Sequence, residues 1–184
     1  MRAFIAVDVN DEVKALVERV EDTLKVNGVR AKWVSRNNIH ITLRFIGDMD
    51  DRDVKKLNEY LSPSISTMPT FEFVVGKLGT FPSNQTLHPR IIWLGVKEGK
   101  EQLIEIAREV NKALSKVGYS LERTLDIPHV TVGRVKYVPK SEWWRGVEKR
   151  EIKVRVTHVK LFSSTLTRSG PIYACKIVWP LKSV

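Results

Sequence analysis

One four-residue pattern, His-apolar-Thr-apolar, occurs twice in the chain, as His40-Ile41-Thr42-Leu43 and His129-Val130-Thr131-Val132. Alternation of this kind reads as a β-strand in which side chains two apart share a face. Each His then stands beside its Thr, while the apolar partners point into a core from the reverse face. The two histidines lie about half of the 184-residue chain apart. Each is preceded by a strand pattern and an amphipathic helix pattern, and the helix starts, near Asp11 and Glu101, lie almost equally far ahead of their His. The expectation is a pseudo-symmetric α+β domain of two lobes spanning residues 1–184, with the motif strands brought together at its centre. Residue identity between the halves is otherwise low, so the duplication is one of structure.

The remaining punctuation fits that plan. A strand over 2–8 leads to a helix with Val13, Leu16, Val17, Val20 and Leu24 on one face, ended by Asn27-Gly28. Lys32-Trp33-Val34 reads as a short extended piece and 39–46 as the first motif strand. A second helix is predicted from Asp51 to Leu61, closed by Pro63. Strands follow at Phe71–Val75 and Arg90–Val96, with Phe81–Thr86 as a loop between them. The third helix, 100–117, carries Leu103, Ile106, Ala107, Val110, Ala113, Leu114 and Val117 in one stripe and stops at Gly118. Pro128 forces Ile127 into an extended conformation ahead of the second motif strand, 127–135. Lys140 to Lys149 reads as a loop with a helical turn, and strands follow at 151–164 and 171–179.

Composition narrows the class of partner. Lys and Arg number 31 against 21 Asp and Glu, a formal charge of +10 that attracts polyanions such as nucleic acid or a phosphorylated substrate. No apolar run approaches the roughly 20 residues needed to cross a bilayer, and Met1 to Asp8 is too short and too alternating for a signal peptide. Cys175 is alone, which excludes an internal disulfide and a multi-cysteine metal site. The expectation is a monomeric cytoplasmic protein with no membrane partner.

Two imidazoles facing each other across a cleft supply one proton donor and one proton acceptor near neutral pH. With a phosphorus between them, one takes a proton from attacking water and the other gives one to the departing oxygen. The hydroxyls of Thr42 and Thr131 can hydrogen-bond the non-bridging oxygens as charge moves there. The scheme calls for no metal and no cofactor, and the chain carries no His-Glu-x-x-His and no clustered carboxylates beside the histidines. The bland alternative is a pair of strand histidines bonded to nearby backbone. Arg44 shares the parity of His40 and Thr42 and is expected on their face, within reach of phosphate. Arg134 has the opposite parity from His129 unless the strand twists or ends at Gly133. Trp33 and Phe45 are read chiefly as core with base stacking as the alternative, the Trp143-Trp144 pair as packing, Arg168 as a loop residue near a polyanion backbone or plain surface, and His88 and His158 as structural or surface residues.

The two motifs in this spacing resemble the 2H phosphoesterase superfamily. Four runs narrow the resemblance to its RNA 2′,3′-cyclic phosphodiesterase, or 2′-5′ RNA ligase-like, branch: Arg2-Ala3-Phe4-Ile5-Ala6-Val7-Asp8, His40 to Gly47, Pro128 to Arg134, and Ser169-Gly170-Pro171-Ile172-Tyr173. The resemblance implies two antiparallel sheets with helices outside and an active-site cleft between them. It also implies hydrolysis of an RNA-terminal 2′,3′-cyclic phosphate to a 2′-phosphomonoester, and a reverse reaction of 2′-5′ RNA ligation. By resemblance His40 is the proton donor and His129 the acceptor; the chemistry requires both roles and leaves their order open. Arg44 and Arg134 are the substrate-binding candidates, and RNA with cyclic phosphate ends, tRNA fragments included, is the implied partner. The competing readings are an RNA-end-binding protein without turnover and a phosphodiesterase acting on a small cyclic nucleotide.

Overall fold

The computed structural model describes residues 1–84, 87–121 and 125–183. Among them run nine strands and three helices, in the order β1 (Arg2–Asp8), α1 (Asp11–Val26), β2 (Arg30–Trp33), β3 (His40–Asp48), α2 (Asp51–Ile65), β4 (Phe71–Phe81), β5 (Ile91–Val96), α3 (Lys100–Val117), β6 (His129–Tyr137), β7 (Ile152–Val156), β8 (His158–Thr167) and β9 (Gly170–Pro180). A 3-10 turn, Arg36–Asn38, precedes β3. Gln85 and Thr86 of the expected loop lie outside the described residues.

Two of the three helices, α1 and α2, begin where a side chain satisfies a first-turn backbone N–H group, whereas α3 starts after Gly99 in a left-handed conformation. The Asn10 side chain accepts from the Val13 amide at 3.0 Å, so Asn10 is the cap of α1 and Asp11 its first-turn acid. Asp50 does the same for α2 through Asp53. That helix was expected to end at Leu61 but runs to Ile65 with Pro63 inside its last turn. Ile65 continues the buried row of Leu57 and Leu61 at a spacing of one turn, and this extra burial carries the helix through the proline.

The strands form two antiparallel sheets, one ordered β3-β1-β8-β9 and the other β2-β6-β5-β4-β7. The stretch expected as one strand over 151–164 is two. It breaks at Thr157, where the chain leaves the five-stranded sheet, in which β7 pairs with β4, and enters the four-stranded one, in which β8 pairs with β1. The alternation slips by one residue there, from Ile152, Val154 and Val156 inward to Val159 and Leu161 inward, and that change of phase is the sequence's mark of the switch.

The halves exchange helices. α1 follows β1 of the four-stranded sheet yet packs on the five-stranded one, touching β6. Its cap Asn10 donates to the Lys153 carbonyl, and Asn27 donates to the carbonyls of Trp143 and Arg145. Conversely α3 follows β5 of the five-stranded sheet and packs on β3 of the other, beside α2, which touches β9 of that sheet. One apolar cluster therefore runs through both halves and includes Ile5 and Ile41 as well as Val130 and Val132.

A buried polar tie fastens α3 to the first motif strand. Arg44 is 5% exposed, and its guanidinium donates to the Asn111 side chain, to the Ser120 carbonyl at 3.0 Å and to the Phe45 carbonyl at 2.9 Å. Asn111 is the polar interruption in the apolar stripe of α3, itself 7% exposed. Replacing it removes an acceptor from a charge that water cannot reach. Asn111→Ala should lower stability by about 2 kcal/mol and the melting temperature by roughly 4–8 °C, measured by thermal and urea unfolding. An unchanged melting temperature contradicts this assignment.

Candidate active site

Both motif strands carry the same irregularity, and it decides which side chains reach the site. Along β3 the cross-strand partners of Ala6 and Ile5 are Thr42 and Arg44, so Leu43 is an extra residue. Along β6 the partners of Trp93 and Ile92 are Thr131 and Gly133, so Val132 is extra. A bulge of one residue flips the parity of everything beyond it. Arg44 consequently turns into the core beside Leu43, which corrects the expectation that it shares a face with His40 and Thr42. Gly133 holds the matching place in β6, and there the Trp33 ring occupies the space: a Cβ on Gly133 would stand 2.8 Å from it. The same flip brings Arg134 onto the face of His129 and Thr131, and Phe45 onto the face of His40 and Thr42. Phe45 is 66% exposed, contrary to its reading as core.

Each imidazole is pinned through Nδ1 to the carbonyl two residues upstream. His40 Nδ1 lies 2.5 Å from the Asn38 carbonyl, and His129 Nδ1 lies 2.8 Å from that of Ile127. A carbonyl only accepts, so Nδ1 carries hydrogen in both rings and the neutral form presents a lone pair at Nε2. Thr42 Oγ1 is 2.8 Å from His40 Nε2. Both carbonyls are held in place. Asn38 donates from its side chain to the Pro171 carbonyl, and Pro128 restricts Ile127.

Aromatic rings wall both histidines. Phe4 stacks on His40 with centroids 5.0 Å apart, Tyr173 meets it edge-on at 5.4 Å, and Phe162 lies at 6.4 Å. His129 has Phe81 edge-on at 5.0 Å and Trp93 at 5.9 Å. The Trp93 ring lies so close to β4 that a Cβ on Gly79 would stand 2.2 Å from it, which is why that strand carries glycine there. These aromatic neighbours were missed from sequence, although Tyr173 lies in a run quoted for the resemblance and Phe4 and Trp93 sit on strands with a readable alternation.

Although β3 and β6 belong to different sheets, they contact each other, and His40 feels the charge of His129. Burial pushes the pKa of His40 from 6.5 down to about 4, opposed by the Asn38 carbonyl and the Asp8 carboxylate and reinforced by His129. Burial lowers that of His129 as well, opposed by the Ile127 carbonyl. Asp8 pairs with Lys160 on the same face. The arrangement is thus two pinned, largely neutral imidazoles, each with a threonine on its own face, one in each sheet. A cavity of about 200 Å³ lined by Arg2, Phe4, Phe45, Ser164 and Tyr173 opens beside His40.

The model of the LigT-like phosphoesterase family matches residues 6–93 and again 94–173, one copy for each half. The chain belongs to this family. It is 40% identical over 176 residues to an RNA 2′,3′-cyclic phosphodiesterase of Thermotoga maritima, covering 94% of this chain and 91% of the relative. A protein of the same name from Methanocaldococcus jannaschii is 33% identical over 186 residues, covering 97% and 100%. Among solved structures the fold matches a Thermus thermophilus protein with a TM-score of 0.76 at 22% identity, covering 100% and 99% of the two chains. It matches Escherichia coli LigT in complex with 3′-AMP with a TM-score of 0.72 at 22% identity, covering 98% and 97%.

The other sequence candidates stay away from the imidazoles or on the surface. Trp33 packs against the core, and Trp143 and Trp144 pack on each other at 5.4 Å. His88 and Arg168 are exposed, and exposed His158 bonds through Nδ1 to Thr157 Oγ1 at 2.7 Å. Among the described residues no cluster of His, Cys, Asp and Glu is arranged to hold a metal, and no helix is long and apolar enough to cross a membrane.

The lowered pKa of His40 has a consequence for stability. The unfolded chain takes up the His40 proton near pH 6.5 and the folded one only near 4. Stability drawn from the neutral ring is therefore full above pH 6.5 and is lost as the pH falls toward 4. The unfolding free energy of the parent protein, from urea titrations, should fall more steeply over that window than that of His40→Asn, by on the order of 1–3 kcal/mol at its lower end. Parallel curves contradict the burial of a neutral ring.

Proposed function

We propose that the protein hydrolyses RNA-terminal 2′,3′-cyclic phosphate to a 2′-phosphomonoester by two-histidine acid–base catalysis. The observation that carries the reading is the repeated unit, an Nδ1-pinned imidazole with a threonine on its own face, once in each sheet on strands that touch. The curated relatives named for this activity, matched over nearly the whole chain, support it.

His129 accepts a proton at Nε2 from the attacking water. Its oxygen bonds to phosphorus as the bond to the 3′ oxygen breaks, and His40 protonates that oxygen from Nε2, leaving the phosphate on the 2′ oxygen. The structure gives both rings the same pin, so the assignment of donor and acceptor follows the family resemblance. Thr42 and Thr131 hold the non-bridging oxygens. For its task His40 must be charged, and a bound phosphate anion favours the imidazolium against the burial that opposes it. Arg134, on the site face beyond Thr131, adds positive charge that attracts the phosphorylated RNA end; Arg44 has no part in binding and serves the fold. Phe45 and Tyr173 flank the cavity beside His40 and offer faces to the terminal base.

The scheme needs no metal. A 5′-hydroxyl in place of water forms a 2′-5′ phosphodiester, the ligation reaction of the same site. A monomer in the cytoplasm acting on RNA ends, those of tRNA fragments among them, completes the reading.

The test is incubation with RNA ending in a 2′,3′-cyclic phosphate, with chelator present. The expected product is the 2′-monoester, formed at rates that fall by about 10²–10⁴-fold in His40→Ala and in His129→Ala. No conversion, or conversion that survives both substitutions, refutes the proposal. Binding of such RNA without product over long incubation would favour an end-binding protein.

A further inference from the structure

The bulge that brings Arg134 to the site face also gives it a neighbour. In the pairing of β2 with β6, Lys32 stands directly opposite Arg134, with Ala31 opposite Val135 and Trp33 opposite Gly133. Directly opposed residues of an antiparallel pair project from the same face. Trp33 packs on the core, so Lys32 and Arg134 emerge on the other side, that of His129 and Thr131. Both are exposed, and among the described residues the side chain of neither makes an ion pair, a hydrogen bond or a ring contact.

Two like charges placed opposite each other on adjacent strands destabilise a sheet. Other sheet cations are compensated: Arg30, next but one along β2, lies over the Tyr137 ring, and elsewhere Lys160 pairs with Asp8 and Lys97 with Glu151. At Lys32 and Arg134 the repulsion stands uncompensated, an arrangement that contributes nothing to the fold and that an anion would neutralise. Its position defines which anion. Counting past the bulge, His129, Thr131 and Arg134 follow one another along one face of β6, each about 7 Å from the last. If the reacting phosphate sits at His129 and Thr131, a second phosphate one step along the strand lies at Arg134 and Lys32. In an RNA end that second phosphate is the one on the 5′ oxygen of the terminal nucleoside.

We propose that Lys32, beside Arg134, binds the phosphodiester on the 5′ side of the terminal nucleoside and so makes the site prefer an RNA end to a free cyclic nucleotide. The inference rests on the function proposed above. It assigns the two lobes different duties at matching positions beyond their bulges: Phe45 presents a ring in one, and Arg134 with Lys32 presents charge in the other.

The test compares adenosine 2′,3′-cyclic phosphate with and without a 5′-phosphate. In the parent protein the 5′-phosphate should raise kcat/KM about tenfold, through KM, as expected for a charge-assisted hydrogen bond. Lys32→Arg should keep most of that gain, because the charge remains. Lys32→Ala should abolish it and lower the salt dependence for the 5′-phosphorylated probe by a slope of about 0.7. Lys112→Ala, which removes a charge on the outer surface of α3, should keep both. The subsite is refuted if the 5′-phosphate brings no gain in the parent, or if Lys32→Ala weakens both probes alike. Should neither probe be hydrolysed, the proposed function fails on its own, and calorimetric binding of adenosine 2′-phosphate with and without a 5′-phosphate then reads the subsite. A Lys32-dependent gain in affinity supports it, and equal affinities overturn it.

Discussion

The hydrogen bond from each imidazole Nδ1 to the carbonyl two residues upstream is the contact on which the site depends. It fixes the tautomer, aims the ring and leaves the lone pair on Nε2. Because the acceptor is backbone, its position is set by the path of the chain, through the 3-10 turn and Asn38 in one half and through Pro128 in the other. A side-chain acceptor would bring its own rotamers and its own protonation. A carbonyl brings neither.

The second constraint is the bulge after each threonine. A regular strand would put the residues after Thr42 and Thr131 in strict alternation, and a polar residue at position 44 would face the site. With one residue inserted, two consecutive positions turn inward. One half uses the second of them for an arginine that ties the strand to α3, and the other uses it for a glycine against the Trp33 ring. The next residue then returns to the site face as Phe45 or Arg134. A duplicated backbone thus places different residues at matching positions, the ring of Phe45 in one sheet and the charge of Arg134 in the other.

Much of this was legible in the sequence, for identifiable reasons. The motif strands, α3 and the core face of α1 follow from period alone, since burial on one side leaves an unbroken apolar row. His40, Thr42, His129 and Thr131 stand on their faces as alternation requires, because they precede the bulges. Arg44, Phe45 and Arg134 follow them, so the same alternation assigned the first two to the wrong side and left the third in doubt. The break at Thr157 was passed over although the inward parity slips there from even to odd positions; the exchange of helices between halves was invisible because it depends on which distant sheet lies alongside, and no local spacing encodes that. The aromatic walls share this difficulty: Tyr173 reaches His40 from β9, and Phe81 reaches His129 from β4, through sheet register alone.

The central claim concerns two ring nitrogens, and nuclear magnetic resonance of 15N-labelled histidine observes them directly. At pH 7, free of ligand, both His40 and His129 should be neutral with hydrogen on Nδ1. Saturation with inorganic phosphate should convert one ring to the imidazolium while the other keeps its bare Nε2. Hydrogen on Nε2 in either neutral ring, or two spectra indifferent to phosphate, would contradict the account.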